Sequence, residues 1–364
     1  MIANKKSLTG KYLNGQLEIE PPVHIRKWNQ SITIEGARQN NLKNITVEFP
    51  LNILCVVSGV SGSGKTTLVK QVLYPALQKI KGEFGGEKAG IHKKLTGSID
   101  AVSQIEMIDQ NPIGKSSRSN PVTYIKAYDE IRELYSKQPL SRMRGFQPKH
   151  FSFNVDGGRC DTCKGEGEQV VEMQFLADVH LTCEVCGGKR FKEEVLEITY
   201  KGRSINDILE LSVDEAIEFF SSGENGKGEG LDVAKKIQPL TDVGLGYIKL
   251  GQSSDTLSGG EAQRVKLASF LGKGKSLGKI LFIFDEPTTG LHFHDIKKLL
   301  ASFNALIEQG HTILVIEHNT DVIKSADWVI DLGPEAGADG GNLVFAGKPA
   351  DLKKCKESYT GKFL

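Results

Sequence analysis

The feature that most constrains this chain is a glycine-rich loop between a predicted buried strand and a predicted helix. Residues 53–57 form a short apolar run, and residues 59–66 read GVSGSGKT, which matches the pattern GxxxxGK[ST]. A helix is predicted from residue 65 to about 77. In this setting the loop's backbone N–H groups can surround phosphates at a helix N-terminus. The sequence therefore predicts a nucleotide-binding α/β domain rather than a plain glycine turn.

The side chains of this loop predict its ligands. We expect Lys65 to reach the β and γ phosphate oxygens of ATP, and Thr66 to coordinate Mg²⁺. The predicted nucleotide-binding residues of the loop are Gly59, Ser61, Gly62, Ser63, Gly64, Lys65, Thr66 and Thr67.

A second nucleotide motif ends the predicted strand 280–284. Asp285 is predicted to hold Mg²⁺, and Glu286 to polarise the water that attacks the γ-phosphate. Acidic pairs are also common in ordinary turns. However, residues 287–292 read PTTGLH and resemble the D-loop region of ATP-binding-cassette proteins.

Residues 257–264, LSGGEAQR, resemble the signature that separates the ATP-binding-cassette class from other P-loop ATPases. Ser258, Gly259, Gly260 and Glu261 are predicted to form a second anion-binding site at a helix N-terminus. In that class the signature of one cassette closes over the nucleotide of another. The resemblance therefore implies an ATP-bridged partner cassette, either an N-terminal half or a second copy, and weak hydrolysis by a solitary copy.

Two single residues complete the predicted catalytic set with Glu286. Gln110 resembles the Q-loop glutamine and His318 the switch histidine. A lone glutamine or histidine after a strand is usually an ordinary polar residue. Here the order and spacing relative to the other motifs favour the catalytic interpretation.

Four cysteines have the spacing C-x₂-C-x₁₉-C-x₂-C, which is typical of a tetrahedral zinc site: Cys160, Cys163, Cys183 and Cys186. Four thiolates leave no open coordination position, so the predicted Zn²⁺ is structural. The alternative, a redox dithiol, would need one exposed CxxC beside a βαβ pattern. Cys55 and Cys355 are not expected to be ligands.

The α/β pattern before residue 110 returns at residue 280, and the intervening sequence differs in texture. We therefore predict an α/β fold, a P-loop NTPase of the ABC ATPase type, with an inserted, mainly helical signature domain that contains a Cys₄ zinc module. The predicted ATP-binding domain comprises residues 1–112 and 276–364. The signature domain comprises residues 113–275, with the zinc module at 158–190.

Charge and hydropathy limit the partners. The 46 Lys and Arg residues nearly balance the 45 Asp and Glu residues, so any nucleic-acid surface must be a local patch. No apolar run reaches the length of a membrane span, and the N-terminus lacks the apolar core of a signal peptide. We expect a cytoplasmic protein without a membrane partner.

Beyond the general motifs, several stretches resemble the second, C-terminal cassette of the UvrA family, the DNA-damage-recognition ATPases of bacterial nucleotide excision repair. These are residues 108–115, 118–121, 151–154, 157–160, 242–251 and 260–268. The resemblance implies ATP, Mg²⁺ and Zn²⁺ as cofactors and double-stranded DNA as a partner. It places the UvrB partner of the full-length system on the other half, not on this segment.

Basic residues of the insert are candidates for DNA phosphates. The first candidates are Lys115, Arg118, Arg142 and Arg144, and others are Lys149, His150, Lys189, Arg190 and Lys192. Such a run is more often a solvated face. The absence of an obvious base-reading helix favours recognition through DNA deformability.

Two alternatives to a repair ATPase remain at this stage. One is a half-size UvrA-like ATPase in antibiotic self-resistance, and the other is the nucleotide-binding subunit of a transporter, which the zinc module argues against. The resemblance covers one of two cassettes, so the chain is expected to be either an excised fragment or a half-size relative.

Overall fold

The computed structural model of the chain describes residues 4, 6–82, 87–114, 118–171, 173, 179–222, 230–273 and 278–364. The fold divides into two compact units. The first combines Met1–Asp109 with Lys273–Leu364, and the second is Gln110–Gly272. The first unit is therefore assembled from both ends of the chain.

The strands, in chain order, are β1 (Ser31–Ala37), β2 (Ile45–Pro50), β3 (Leu54–Gly59), β4 (Lys94–Gly97), β5 (Gln104–Ile108), β6 (Glu168–Val171), β7 (Val179–Thr182), β8 (Thr199–Tyr200), β9 (Arg203–Ser204), β10 (Ile280–Asp285), β11 (Thr312–Ile316), β12 (Trp328–Gly333) and β13 (Asn342–Gly347). The α-helices are α1 (Leu8–Leu13), α2 (Tyr74–Ile80), α3 (Pro121–Tyr124), α4 (Ala127–Ser136), α5 (Pro139–Met143), α6 (Glu193–Leu196), α7 (Ile205–Glu210), α8 (Val213–Ser221), α9 (Leu231–Asp242), α10 (Gly259–Leu271), α11 (Phe293–Glu308), α12 (Thr320–Lys324) and α13 (Pro349–Leu352).

A six-stranded sheet in the order β13-β12-β3-β11-β10-β5 forms the centre of the first unit. Its neighbours run parallel except for β13, which pairs antiparallel with β12. Strands β3 and β11 are buried along their whole length because helices and loops cover both faces, which explains their continuous apolar sequences. The predicted strand at 280–284 is confirmed as β10, and the α/β pattern that returns at residue 280 continues through β11 and β12.

A second sheet, in the order β2-β1-β4, lies in the same unit. Strands β1 and β2 pair antiparallel, with Ile34 opposite Val47. Ile32, Ile34 and Val47 point into one core together with apolar residues of the central sheet, such as Val57 and Leu332.

The chain after the P-loop is helical, but its winding differs from the prediction of one α-helix. Thr67–Leu73 winds as a π-helix, and α2 follows directly. Leu68, Val69, Val72 and Leu73 are completely buried, so packing against the core holds this wider turn in place.

The second unit is mainly helical among its described residues and has two short hairpins, β6–β7 and β8–β9. Serine caps with a returning acidic side chain begin three of its helices: α7 at Ser204, α8 at Ser212 and α10 at Ser258. The stretch 121–136 forms two helices, α3 and α4, since Lys126 takes a left-handed conformation with φ of 61° between them. The predicted fold class is confirmed.

Within the described ranges, no helix is both long enough and apolar enough to cross a bilayer.

Candidate nucleotide and metal sites

The P-loop lies between β3 and the π-helix, at the carboxyl edge of the central sheet. Gly59 has a φ of +132°, and a Cβ there would lie 2.1 Å from the carbonyl oxygen of Leu332, so this position requires glycine. The surface in front of the loop, which we call the P-loop cleft, is lined by Asn41, Ser61, Gly62, Gly64, Lys65, Thr66, Thr67, Glu286 and His318.

Lys65 is held inside this loop. Its side chain is 5% exposed, and its Nζ donates to the carbonyl oxygens of Gly59 at 3.0 Å and Val60 at 2.8 Å. Burial lowers the pKa of Lys65, whereas the nearby Glu286, Asp331 and Asp285 carboxylates oppose that shift. The ammonium group is therefore positioned among backbone acceptors that an anionic ligand can replace.

Of the acidic pair at the end of β10, Glu286 lines the P-loop cleft, whereas Asp285 pairs with a lysine of the π-helix. Lys70 on the π-helix approaches Asp285, with 2.5 Å between its Nζ and the Oδ2. Glu286 has a positive φ of 44°, which is rare outside glycine, and its Oε1 lies 3.4 Å from the Nε2 of His318. Its amide donates to the carbonyl oxygen of Ile316 at 2.9 Å, so β11 fixes this unusual backbone.

The donor set of the cleft fits a magnesium nucleotide. Loop N–H groups and the Lys65 ammonium suit phosphate oxygens, whereas the Thr66 hydroxyl and the Asp285 carboxylate suit a divalent cation. Lys65, Thr66, Glu286 and His318 all line this one cleft. The cleft therefore combines anion-binding groups with the carboxylate of Glu286.

We expect Lys65→Ala to abolish ATP hydrolysis and to weaken ATP binding by about tenfold or more, because the variant lacks the cation that meets the phosphates. Phosphate release and equilibrium titration with a fluorescent ATP analogue measure the two effects. The matched control is Lys79→Ala, which removes an exposed lysine of α2. Hydrolysis at the parent rate by Lys65→Ala would contradict the phosphate role.

Sequence reasoning missed Glu317, which organises both loops beside the cleft. Glu317 is 2% exposed, and its Oε1 accepts hydrogen bonds from the Thr288 amide at 3.0 Å and the Thr288 hydroxyl at 2.5 Å. Its Oε2 accepts from the amides of His318 at 2.7 Å and Asn319 at 3.0 Å. One carboxylate thus joins the loop after β10 to the loop that carries His318. The available signal was an acidic residue directly after the apolar strand β11.

The signature sequence begins α10 in the second unit. Ser258 is the exposed N-cap, with its hydroxyl 3.3 Å from the amide of Glu261 and 2.9 Å from the carboxylate of Glu261. The Glu261 carboxylate also accepts from the Tyr247 hydroxyl at 2.5 Å. Burial favours a higher pKa for Glu261, but these bonds from Tyr247 and Ser258 lower it, so the carboxylate is charged at neutral pH. Arg264, 5% exposed, donates to Gly260 and Gly244 carbonyls and secures the turn.

Gln110 packs against this signature turn. A Cβ at Gly259 would lie 2.9 Å from the Cβ of Gln110 and 3.1 Å from its Oε1. Gln110 and Ser258 both belong to the second unit, whereas Lys65, Glu286 and His318 belong to the first.

The four predicted zinc ligands converge. All four sulfur atoms lie within 4.8 Å of one another, with 4.0 Å between those of Cys160 and Cys183 and 3.7 Å between those of Cys163 and Cys186. A tetrahedral zinc with Zn–S bonds of about 2.3 Å requires S–S edges of about 3.8 Å. The cysteines are unpaired thiols, and their geometry fits a Cys₄ metal site.

Backbone amides support the sulfur cluster. The Gly167 amide donates to the Cys163 sulfur at 3.3 Å, and Gly167 has a φ of +82°, which lets the chain turn back toward it. Amide donation from Cys186 and Val185 lowers the pKa of the Cys183 thiol to about 7. These dipoles favour thiolate at a position where a metal ligand must be deprotonated.

Comparison with known proteins gives one consistent result. No family model matches the chain. The chain is 51% identical over 365 residues to the UvrABC system protein A of Clostridium perfringens, and 52% identical over 366 residues to that of Staphylococcus aureus strain COL. Both alignments cover 100% of this chain. The chain is related to UvrA along its whole length.

A solved structure agrees with this relationship. UvrA2 from Deinococcus radiodurans matches with a TM-score of 0.87 and 40% identity over 99% of this chain, which covers 42% of that chain. The chain spans 38% and 37% of the length of the two UvrA relatives. The similarity to UvrA therefore extends over both units of the fold. The functions of whole UvrA proteins are proposals for this chain.

The basic residues suggested by the UvrA resemblance differ in their contacts. Arg118 lies 3.5 Å from the Glu166 carboxylate, and Arg144 pairs with Glu197. Arg142 is exposed. Lys115 lies outside the described residues.

The other basic residues differ too. Lys149 is exposed, His150 stacks on Phe146, and Lys189 is exposed. Lys192 pairs with Asp161 at 2.8 Å, and Arg190 donates to the Gly251 carbonyl at 3.2 Å. Arg142, Lys149 and Lys189 thus present their charge most directly to solvent.

Proposed function

We propose that this chain is an ATP-hydrolysing, damage-recognising segment of nucleotide excision repair that binds distorted double-stranded DNA. One observation carries the proposal: the chain combines the P-loop cleft, an exposed cassette signature and a four-cysteine cluster. The same chain is similar to UvrA along its own whole length. The name of the relatives, UvrABC system protein A, connects that combination to the Uvr system.

In the proposed reaction, the loop amides and Lys65 bind the phosphates, and Thr66 and Asp285 hold Mg²⁺. The Mg²⁺ that Thr66 and Asp285 would hold would supply positive charge against the charge that develops on the phosphate oxygens. Glu286 orients the attacking water and accepts its proton, and His318, with its Nε2 3.4 Å from the Glu286 carboxylate, positions that group.

We further propose that hydrolysis requires a second cassette. Ser258 and the Gly259 and Gly260 amides begin α10 at an exposed position, where they can meet the γ-phosphate of a nucleotide on another cassette. That cassette is a second copy of this chain or the N-terminal half of a longer protein. UvrB is proposed to bind the full-length system outside this segment.

The DNA proposal predicts tighter binding to irradiated duplex than to intact duplex. A lesion makes the duplex easier to bend, so a protein that deforms DNA spends less free energy on it. We expect about a tenfold difference in affinity, which fluorescence anisotropy with matched duplexes in the presence of ATP measures. Equal affinity for both duplexes would favour the half-size relative without a repair role.

Charge variants identify the DNA surface in the same assay. Arg142→Ala/Lys149→Ala removes two exposed cations of the second unit, and Lys353→Ala/Lys356→Ala removes two near the C-terminus as a matched control. If the first pair contacts phosphates, the negative slope of log affinity against log salt becomes shallower by about two for that variant alone. An unchanged slope would assign the contact to other residues.

A further inference from the structure

A short sequence occurs twice in the chain. Residues 358–364 read SYTGKFL and residues 7–13 read SLTGKYL. In both copies, a glycine amide donates to the serine hydroxyl three residues earlier, although residues 8–13 form an α-helix and residues 360–363 a 3-10 helix. The distances are 2.8 Å for Gly361 to Ser358 and 3.0 Å for Gly10 to Ser7. The copies differ in what their hydroxyl groups contact.

The C-terminal copy binds a buried carboxylate. Asp331 on β12 is 2% exposed, and its Oδ2 accepts from the Ser358 hydroxyl at 2.6 Å. Its Oδ1 accepts from the Thr360 hydroxyl at 2.8 Å and the Ser58 hydroxyl at 2.6 Å. A buried carboxylate needs hydrogen-bond donors to replace water. The three hydroxyl donors supply them from fixed positions and so hold Asp331 in one orientation.

Asp331 lies directly beside the start of the P-loop. In the parallel pairing of β12 with β3, Asp331 is opposite Ser58, and Leu332 is opposite Gly59, the first residue of the loop. The 2.1 Å separation of a Gly59 Cβ from the Leu332 oxygen shows how closely these two strands approach. A shift of Asp331 therefore shifts the backbone from which the P-loop begins.

Residues 358–364, which we call the tail, also contact the segment that follows β12 and bonds to the P-loop. The Tyr359 hydroxyl donates to the Glu335 carboxylate at 2.5 Å. Two residues later, the Gly337 amide donates to the Gly62 carbonyl at 3.1 Å, and the Gly341 amide donates to the Ser63 carbonyl at 3.1 Å. The tail thus contacts Asp331 and Glu335, which precede in the chain the two glycines that donate to the P-loop.

The N-terminal copy has different neighbours. The Thr9 hydroxyl lies 2.9 Å from the Nε2 of His292, and the Tyr12 ring stacks on Phe293 with 5.5 Å between centroids. Ser7 and Thr9 thus correspond in sequence to Ser358 and Thr360, but their hydroxyl groups contact Gly10 and His292 rather than a residue of β12. The chain contains its own control for the chemistry of this sequence.

We propose that Ser358 and Thr360 are positioning residues that hold the P-loop, through Asp331 and Ser58, in its phosphate-binding conformation. The inference rests on the proposed nucleotide binding at the P-loop cleft. A loop that is already ordered loses less conformational freedom when phosphates bind, so the docked tail raises nucleotide affinity.

The test compares two paired variants of the full chain. Ser358→Ala/Thr360→Val removes both hydroxyl donors of the tail, and Ser7→Ala/Thr9→Val makes the same change in the other copy. Titration with a fluorescent ATP analogue and Mg²⁺ measures affinity, and circular dichroism measures the unfolding temperature. We expect affinity to fall by about tenfold in the tail variant and by less than about twofold in its control.

Conservative variants separate positioning from general stability. Ser358→Thr/Thr360→Ser keeps both hydroxyl groups and restores most of the affinity, and Thr360→Val alone gives an intermediate loss if the double variant does not fold. If Ser358→Ala/Thr360→Val lowers the unfolding temperature but leaves the affinity for ATP at the parent value, the inference is wrong and the proposed function stands. A parent chain that binds no ATP overturns the proposed function and this inference together.

Discussion

We expect Glu286→Gln to stop ATP turnover while nucleotide binding persists. Glutamine has nearly the shape of glutamate but cannot accept the proton of the attacking water, so hydrolysis falls by about 10²–10⁴-fold. The phosphate contacts of Lys65 and the loop amides do not involve this carboxylate, so affinity for ATP stays within about twofold. Phosphate release at saturating ATP and titration with the fluorescent analogue measure the two quantities separately.

The same variant tests the two-cassette proposal. When hydrolysis is blocked, ATP remains bound between cassettes, so the Glu286→Gln chain gains mass in solution when ATP is added. Light scattering with and without ATP reports this gain. The matched control is Glu308→Gln on the exposed end of α11, which keeps the parent rate and mass. A Glu286→Gln chain that hydrolyses ATP as fast as the parent would refute the assignment of this carboxylate.

The fold was predictable where local signals agree with long-range packing. Strands β10, β11 and β12 are mostly apolar because a parallel sheet buries both faces, and that pattern is visible in the sequence, with Asp285 and Asp331 as exceptions. Strand β5, in contrast, mixes Gln104 and Glu106 with apolar residues, and its place at the sheet edge beside β10 depends on pairing with a distant segment. The π-helix after the P-loop likewise follows from packing rather than from helix propensity.

The candidate sites show the same division. Motif chemistry identified Lys65, Glu286 and the four cysteines, since the spacing of those residue types is itself the signal. Glu317 and Asp331 have no such spacing. Each is a carboxylate at or just beyond a buried strand, and its importance comes from hydroxyl and amide donors supplied by other segments of the first unit. Tertiary structure alone brings those donors to one buried acid.

Cys183→Ser should empty the metal site and unfold the zinc module. The parent chain is expected to hold about one zinc per chain, and the variant less than about a tenth of that, because a serine hydroxyl is a far weaker ligand than a thiolate. Structural zinc contributes on the order of 10 kcal/mol to the folding of small modules, which exceeds what the short hairpin β6–β7 can supply. Elemental analysis of the purified chain measures the content.

The matched control is Cys355→Ser, which changes a thiol outside the cluster and keeps the zinc content. Limited proteolysis locates the damage, because Val170, Val179 and Leu181 on the hairpin are already 42–51% exposed and become cleavable once the sulfur cluster no longer ties the strand ends together. ATP binding should survive, since the P-loop cleft belongs to the first unit. A parent chain that is folded and free of zinc, or a Cys183→Ser chain that retains a full equivalent, would eliminate the structural-zinc assignment.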